Sequence, residues 1–144
     1  MKKLPPIEKV FEAWTAIADH RVDLQENHAS VASSDGEKNY KVNFSGDQFS
    51  SDDNATFWQG YAGYPVIAVL MLQGRLPLNM AEAELWKNIN WTVLNKKNRN
   101  NYAKAVKEVA EQRGIDLTRS YEEANLVMKD LENLPIEIKR KIKS

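Results

Sequence analysis

Six bases lie between Trp86 and Lys107 (Lys87, Lys96, Lys97, Arg99, Lys104 and Lys107), and no acid interrupts them. Lys96, Lys97, Arg99 and Lys104 are interleaved with Asn95, Asn98, Asn100 and Asn101 and flanked by Trp91 and Tyr102. Cations for phosphates, amides for hydrogen bonds and flat rings for stacking are what single-stranded nucleic acid asks of a protein surface. Lys96, Lys97, Arg99, Lys104 and Trp91 are therefore the candidate nucleic-acid contacts, set against the ordinary alternative of a solvated face. A second group is aromatic. Trp58, Tyr61 and Tyr64 surround Gly60 and Gly63 in Gly-Tyr-Ala-Gly-Tyr-Pro, where the rings could line a small-molecule groove. These glycines lack the Gly-Lys-Ser/Thr ending of a phosphate loop, so tight packing is the competing role.

No residue is assigned a catalytic role. His20, His28 and Asp23 sit close enough in sequence to suggest metal or acid–base chemistry, but a histidine at a helix C-terminus is favoured by the dipole alone. Asp52 and Asp53 lack the alternating oxygen ligands of a calcium loop and suit a helix cap better. The chain contains no Gly-x-Ser-x-Gly nucleophile motif. With no cysteine in the chain, disulfides, thiolate zinc sites, iron–sulfur clusters and a cysteine nucleophile are excluded. No cofactor and no metal are expected.

The 144 residues make one domain by length, spanning 1–144, with 20 basic and 20 acidic residues that cancel. The charges fall in blocks: residues 4–53 hold ten acids and four bases, residues 108–134 seven acids and three bases, and the last ten residues are basic. Met1-Lys-Lys-Leu-Pro-Pro leads into an amphipathic helix rather than an apolar signal core. A cytoplasmic protein is the expectation, and the Asn54 and Asn90 sequons then carry no meaning.

The elements that must position these residues centre on Val66–Leu72, seven apolar residues in a row that predict a short helix buried on every side. Pro65 opens it, Gly74 stops it, and it is far shorter than the ~20 residues a membrane span needs. Before it, Leu4–Asp19 reads as a helix with Ile7, Val10, Phe11, Trp14 and Ile17 on one stripe, and Arg21–Gln25 as a short strand. Residues 29–44 alternate on both sides of Asp35-Gly36, a hairpin signal, and Gln48–Ser50 suggests a return strand. After it, Asn79 with Glu82 and Ser120 with Glu123 have capping-box spacing. Asn90–Asn101 predicts a break or bend, and Gly114 and Pro135 end the last two helices. The expected class is α+β: an N-terminal helix, a small antiparallel hairpin-based sheet, a buried central helix and helices over 79–144.

The hairpin, the turn, Gly63-Tyr-Pro65 and the apolar helix give Ala29 to Leu76 an order that resembles the SWIM zinc-finger segment, a ββα unit with a Cys-x-Cys…Cys-x-His pattern. Matching the two puts the ligand positions near Phe49 and Ser51 and at Val66 and Ala68, so every ligand is missing. The resemblance implies a zinc-free relative in which apolar burial replaces coordination. It implies contact with nucleic acid or protein as a class of function, and no residue role. The first functional expectation is thus a non-enzymatic interaction module binding protein or single-stranded nucleic acid. The alternative is an enzyme or small-ligand-binding protein using an aromatic groove around Trp58 and Tyr64. A pocket of convergent polar groups would favour that alternative.

Overall fold

Alternation of apolar and polar residues builds the sheet, and an uninterrupted apolar run builds the helix laid across it. The computed structural model describes residues 3–142. In order it contains α1 (Glu8–Ala18), β1 (Val22–Leu24), β2 (His28–Ala32), β3 (Asn39–Ser45), β4 (Gln48–Ser51), α2 (Asn54–Gln59), α3 (Tyr64–Leu72), α4 (Met80–Leu85), α5 (Trp91–Lys97), α6 (Tyr102–Arg113), α7 (Leu117–Asn133) and β5 (Glu137–Ile138). The fold is mixed α+β. The five strands lie in the order β1-β2-β3-β4-β5, antiparallel except for the parallel pair β4–β5.

The β2–β3 hairpin pairs Val31 with Tyr40 and Ala29 with Val42, burying Ala29, Val31 and Val42 on one face. Gly36 takes φ 75° in the turn, and Asp35 Oδ1 accepts hydrogen bonds from Ser33 Oγ and the Glu37 N–H. Those two bonds, the Ser33 one first, hold the Asp35 carboxyl below its usual range. α3 lies between this sheet and α1, touching β1, β3 and β4 on one side and α1 on the other. That double cover is why seven apolar residues in a row are stable there: Pro65 through Met71 are buried. Leu72, expected inside, is exposed, because it is the last helical residue and points past the cover.

α1 is as central as α3. It is packed by α3, α4, α6 and α7, and every residue from Lys9 to Ala18 is buried, including the polar Lys9, Glu12 and Thr15. Its end is closed by a Schellman arrangement in which His20 (φ 56°) donates to the Ile17 carbonyl and Arg21 to the Ala16 carbonyl. The two histidines therefore serve as a helix terminus and a strand residue, and no group of three or more metal-ligating side chains forms among the described residues.

Two expectations for the second half need correcting, while the break or bend expected within Asn90–Asn101 is present: Asn90 caps α5, the turn at Arg99 (φ 53°) and Asn100 (φ 63°) follows, and Asn101 caps α6. Asparagine, poor inside helices, is used here at their starts. Ser120 does not begin the last helix. Asp116 caps it by accepting the Arg119 N–H, while Ser120 is buried one turn inside. Finally, residues 79–142 are not wholly helical, because the chain beyond Pro135 adds β5 beside β4. No described helix is long and apolar enough to cross a membrane.

Candidate functional site

The basic stretch occupies the end of α5, the following turn and the start of α6, and Lys96, Lys97, Arg99 and Lys104 are all exposed. Lys97 Nζ donates to Glu108 Oε1 at 2.8 Å, which keeps the Glu108 carboxyl below its ordinary value. Trp91 does not share this face. As the first residue of α5 it turns inward, is 3% exposed, and donates from Nε1 to Thr15 Oγ1 at 2.8 Å. Its ring stacks on Trp86 with centroids 6.3 Å apart. It offers no surface for a base to stack on, so the expected stacking contact is withdrawn.

The aromatic groove around Trp58 and Tyr64 does not form either. α2 ends at Gly60 (φ 73°) and α3 begins after Gly63, so the three rings belong to different segments. Trp58 is 63% exposed and lies under the Arg140 guanidinium, 5.4 Å from its ring centroid. Tyr61 lies beneath Lys3 Nζ at 5.8 Å. Tyr64 points elsewhere, edge-on to Tyr40 with centroids 6.2 Å apart.

Tyr64 and Tyr40 open instead onto a polar cleft of about 150 Å³ that sequence reasoning did not find. Its walls are Lys9 and Glu12 of α1, Arg21 from the turn after α1, Ser34 and Tyr40 of the hairpin, Asp53 and Asn54 at the start of α2, Tyr64 of α3, and Trp91, Thr92 and Asn95 of α5. Lys9 and Glu12, three residues apart, share one face of α1. Lys9 Nζ lies 3.3 Å from Glu12 Oε2 and 4.3 Å from the Tyr102 ring centroid. Burial drives the Glu12 carboxyl above its usual value, outweighing the Lys9 ammonium and the Asn95 amide that favour its charge. Burial works against the Lys9 charge too, but Glu12 and Tyr102 outweigh it and leave Lys9 above the ordinary lysine value.

Arg21 Nη1 donates to the Ala32 carbonyl, and Nε lies 3.7 Å from Asp19 Oδ2, too far for a hydrogen bond. Its Nε and Nη2 are buried without a well-formed hydrogen bond. The Tyr64 hydroxyl sits beside this guanidinium, yet burial dominates and pushes it above the ordinary phenol range. Asn95 Nδ2 donates to Glu12 Oε2 at 3.4 Å, while Asn95 Oδ1 is buried and unpaired.

Asp53 is a structural wall of this cleft. Its carboxylate caps α2, with one oxygen accepting from Ser51 Oγ and the other from the Thr56 N–H at 3.0 Å and Thr56 Oγ1 at 3.1 Å. Gly63 donates to Thr56 Oγ1 at 2.9 Å, and a Cβ on Gly63 would come within 2.4 Å of Asp53 Oδ2. With φ −71° at Gly63, close approach to the cap rather than backbone conformation makes this position a glycine.

A faint signal of the cleft was present in the sequence: Lys9, Glu12 and Thr15 recur every three residues, a narrow polar stripe on an otherwise apolar helix. Nothing local marked Arg21, Tyr40 or Asn95 as their neighbours.

Searches of curated proteins and of solved structures find no match to this chain. A family model described as Uncharacterised conserved protein UCP014422 matches residues 2–137. Spanning nearly the whole chain, that match shows that the protein belongs to this family.

Proposed function

We propose that this protein binds a small polar molecule in the cleft between α1, the β2–β3 hairpin, α3 and α5. One observation carries the reading: ionisable and hydrogen-bonding side chains from separate elements, Lys9, Glu12, Arg21, Asp53, Tyr64 and Asn95, converge there. Pockets with a few placed polar groups are where small polar ligands are held and oriented. The test is a thermal-unfolding screen of the intact protein against small polar metabolites. At least one compound should raise the melting temperature in proportion to the logarithm of its concentration, and Asn95→Leu should abolish the rise. Stabilisers acting equally on the variant, or none at all, would defeat the reading.

The exposed bases support a second reading, an interaction surface for protein or single-stranded nucleic acid. Lys96, Arg99 and Lys104 face solvent with no acid paired to them among the described residues. In the basic tail, Lys139 is paired to Glu137 and Arg140 lies over Trp58, and Lys143 is outside the described residues. The SWIM-type resemblance supports this reading at the level of class. Phe49, Ser51, Val66 and Ala68, the positions that the resemblance matches to its ligands, are all buried. Without Trp91, binding would rest on phosphate contacts, each adding roughly −0.7 to the salt slope. Titration of short oligonucleotides at low salt decides it: Lys96→Glu with Lys104→Glu should abolish binding, and unchanged binding would remove this reading.

A further inference from the structure

A larger cavity, sharing none of the cleft's lining residues, opens where the segment before α1 meets the chain through β5. Its volume of about 400 Å³ falls within the range of about 300–1,000 Å³ that small-molecule pockets occupy. The floor is aliphatic and buried: Ala62 from the loop between α2 and α3, Leu131 from the last turn of α7, and Ile136 just before β5. Pro5 and the half-buried Ile138 of β5 continue the wall, and among the described residues no aromatic ring lines it. Hydrocarbon is what such a surface takes from water.

Two ionisable side chains, Glu137 and Lys3, stand on the lining, and their surroundings differ. Glu137 is answered by Lys139, whose Nζ lies 3.0 Å from Oε2. Lys3 Nζ has Gln59 Oε1 at 3.4 Å and the Tyr61 ring centroid at 5.8 Å, both neutral, and no carboxylate among the described residues. Because Lys3 is exposed, a carboxylate can reach its ammonium without displacing an ion pair. The next cation along the chain, Arg140, is laid on the Phe57 and Trp58 rings of α2, so it brings no acid to this corner either.

We infer that this cavity binds a small aliphatic carboxylate, its hydrocarbon chain against Leu131, Ile136 and Ile138 and its carboxylate at Lys3 Nζ. Hydrocarbon burial supplies the affinity, because an exposed ammonium alone holds an anion only weakly. The ammonium decides which sign of head group is accepted. The inference is independent of the polar cleft.

Butyrate, hexanoate and octanoate, with octanol and octylammonium as uncharged and oppositely charged counterparts, are titrated separately into the intact protein at neutral pH. Isoleucine methyl groups labelled with ¹³C report on Ile136 and Ile138. Octanoate should bind, with affinity rising about twofold to fourfold per methylene from butyrate, fourfold being the ~0.8 kcal/mol of a fully buried methylene. Octylammonium should bind at least tenfold more weakly than octanoate. Lys3→Gln should weaken octanoate about threefold to fivefold and leave octanol unchanged. Ile138→Gln should weaken both, and Asn95→Leu in the polar cleft should weaken neither. Because Ile138 pairs with Phe49 in the sheet, Lys3→Gln and the chain-length series keep the test decisive should the isoleucine variant unfold. Affinity independent of chain length, octylammonium binding as tightly as octanoate, or silence from both methyl groups overturns the inference.

Discussion

Leu70→Ala should lower the unfolding free energy by about 2–5 kcal/mol, the range for removing a large side chain from a close-packed interior. Leu70 is fully buried in α3, between the sheet and α1, where neither cover can collapse without disturbing the other. Its carbonyl also accepts the N–H groups of Arg75 at 2.9 Å and Leu76 at 3.2 Å, which seat the turn after the helix. Lys141→Ala, at an exposed position, should stay within about 0.5 kcal/mol of the parent. Urea titration checks both: the midpoint moves for Leu70→Ala with an unchanged slope. Equal midpoints for the two variants would mean that α3 is not the interior helix described above.

An effect of similar size is expected at Thr15, through polar rather than apolar loss. The Thr15 hydroxyl accepts the Trp91 indole N–H at 2.8 Å and lies 2.5 Å from the Trp86 carbonyl and 3.1 Å from the Phe11 carbonyl, both within donating reach. It joins α1 to the chain before and within α5 at a point with no exposure. Thr15→Val keeps the shape and deletes the hydroxyl, leaving the buried indole N–H and the Trp86 carbonyl unpaired. At about 1–3 kcal/mol for each, the loss should be roughly 2–6 kcal/mol. Thr15→Ser keeps the hydroxyl and removes one methyl group, so it should cost only about 1 kcal/mol. Denaturant unfolding followed by tryptophan fluorescence separates them, and valine tolerated as well as serine would show that the hydroxyl carries no load.

What could be read from the chain was whatever its own neighbours decide. Asp35-Gly36 marks a turn because the φ requirement and the Asp35 side-chain bonds are local, and Pro65 and Gly74 bracket α3 for the same reason. Misreadings came where a distant partner outweighed the local pattern. Ser120 has cap spacing, yet its hydroxyl is spent on Glu82, and it also accepts the Trp86 indole N–H at 3.3 Å. Trp91 sits among bases and asparagines, but Thr15, 76 positions away, draws it inside. Beyond the polar stripe of Lys9 and Glu12 on α1, the cleft was illegible because its walls lie far apart in the chain: Glu12 meets Asn95 across 83 positions. The expected aromatic site failed because adjacency in sequence at Trp58 and Tyr64 was taken for adjacency in space.

The sheet grows in the order in which the chain is written, so β1 to β4 can zip through short loops, each strand finding the one just before it. β5 breaks that rule. It joins β4 in parallel only after the whole helical half has intervened, held by Glu137 N–H to the Asp47 carbonyl and Lys139 N–H to the Phe49 carbonyl, both at 2.8 Å. Long-range closure of this kind comes late in folding, because the loop entropy must be met before the contacts form. Until then β4 is a bare edge carrying Phe49, able to template a strand from another molecule. The two-residue C-terminal strand thus acts as a guard on the folding path as well as a member of the finished sheet.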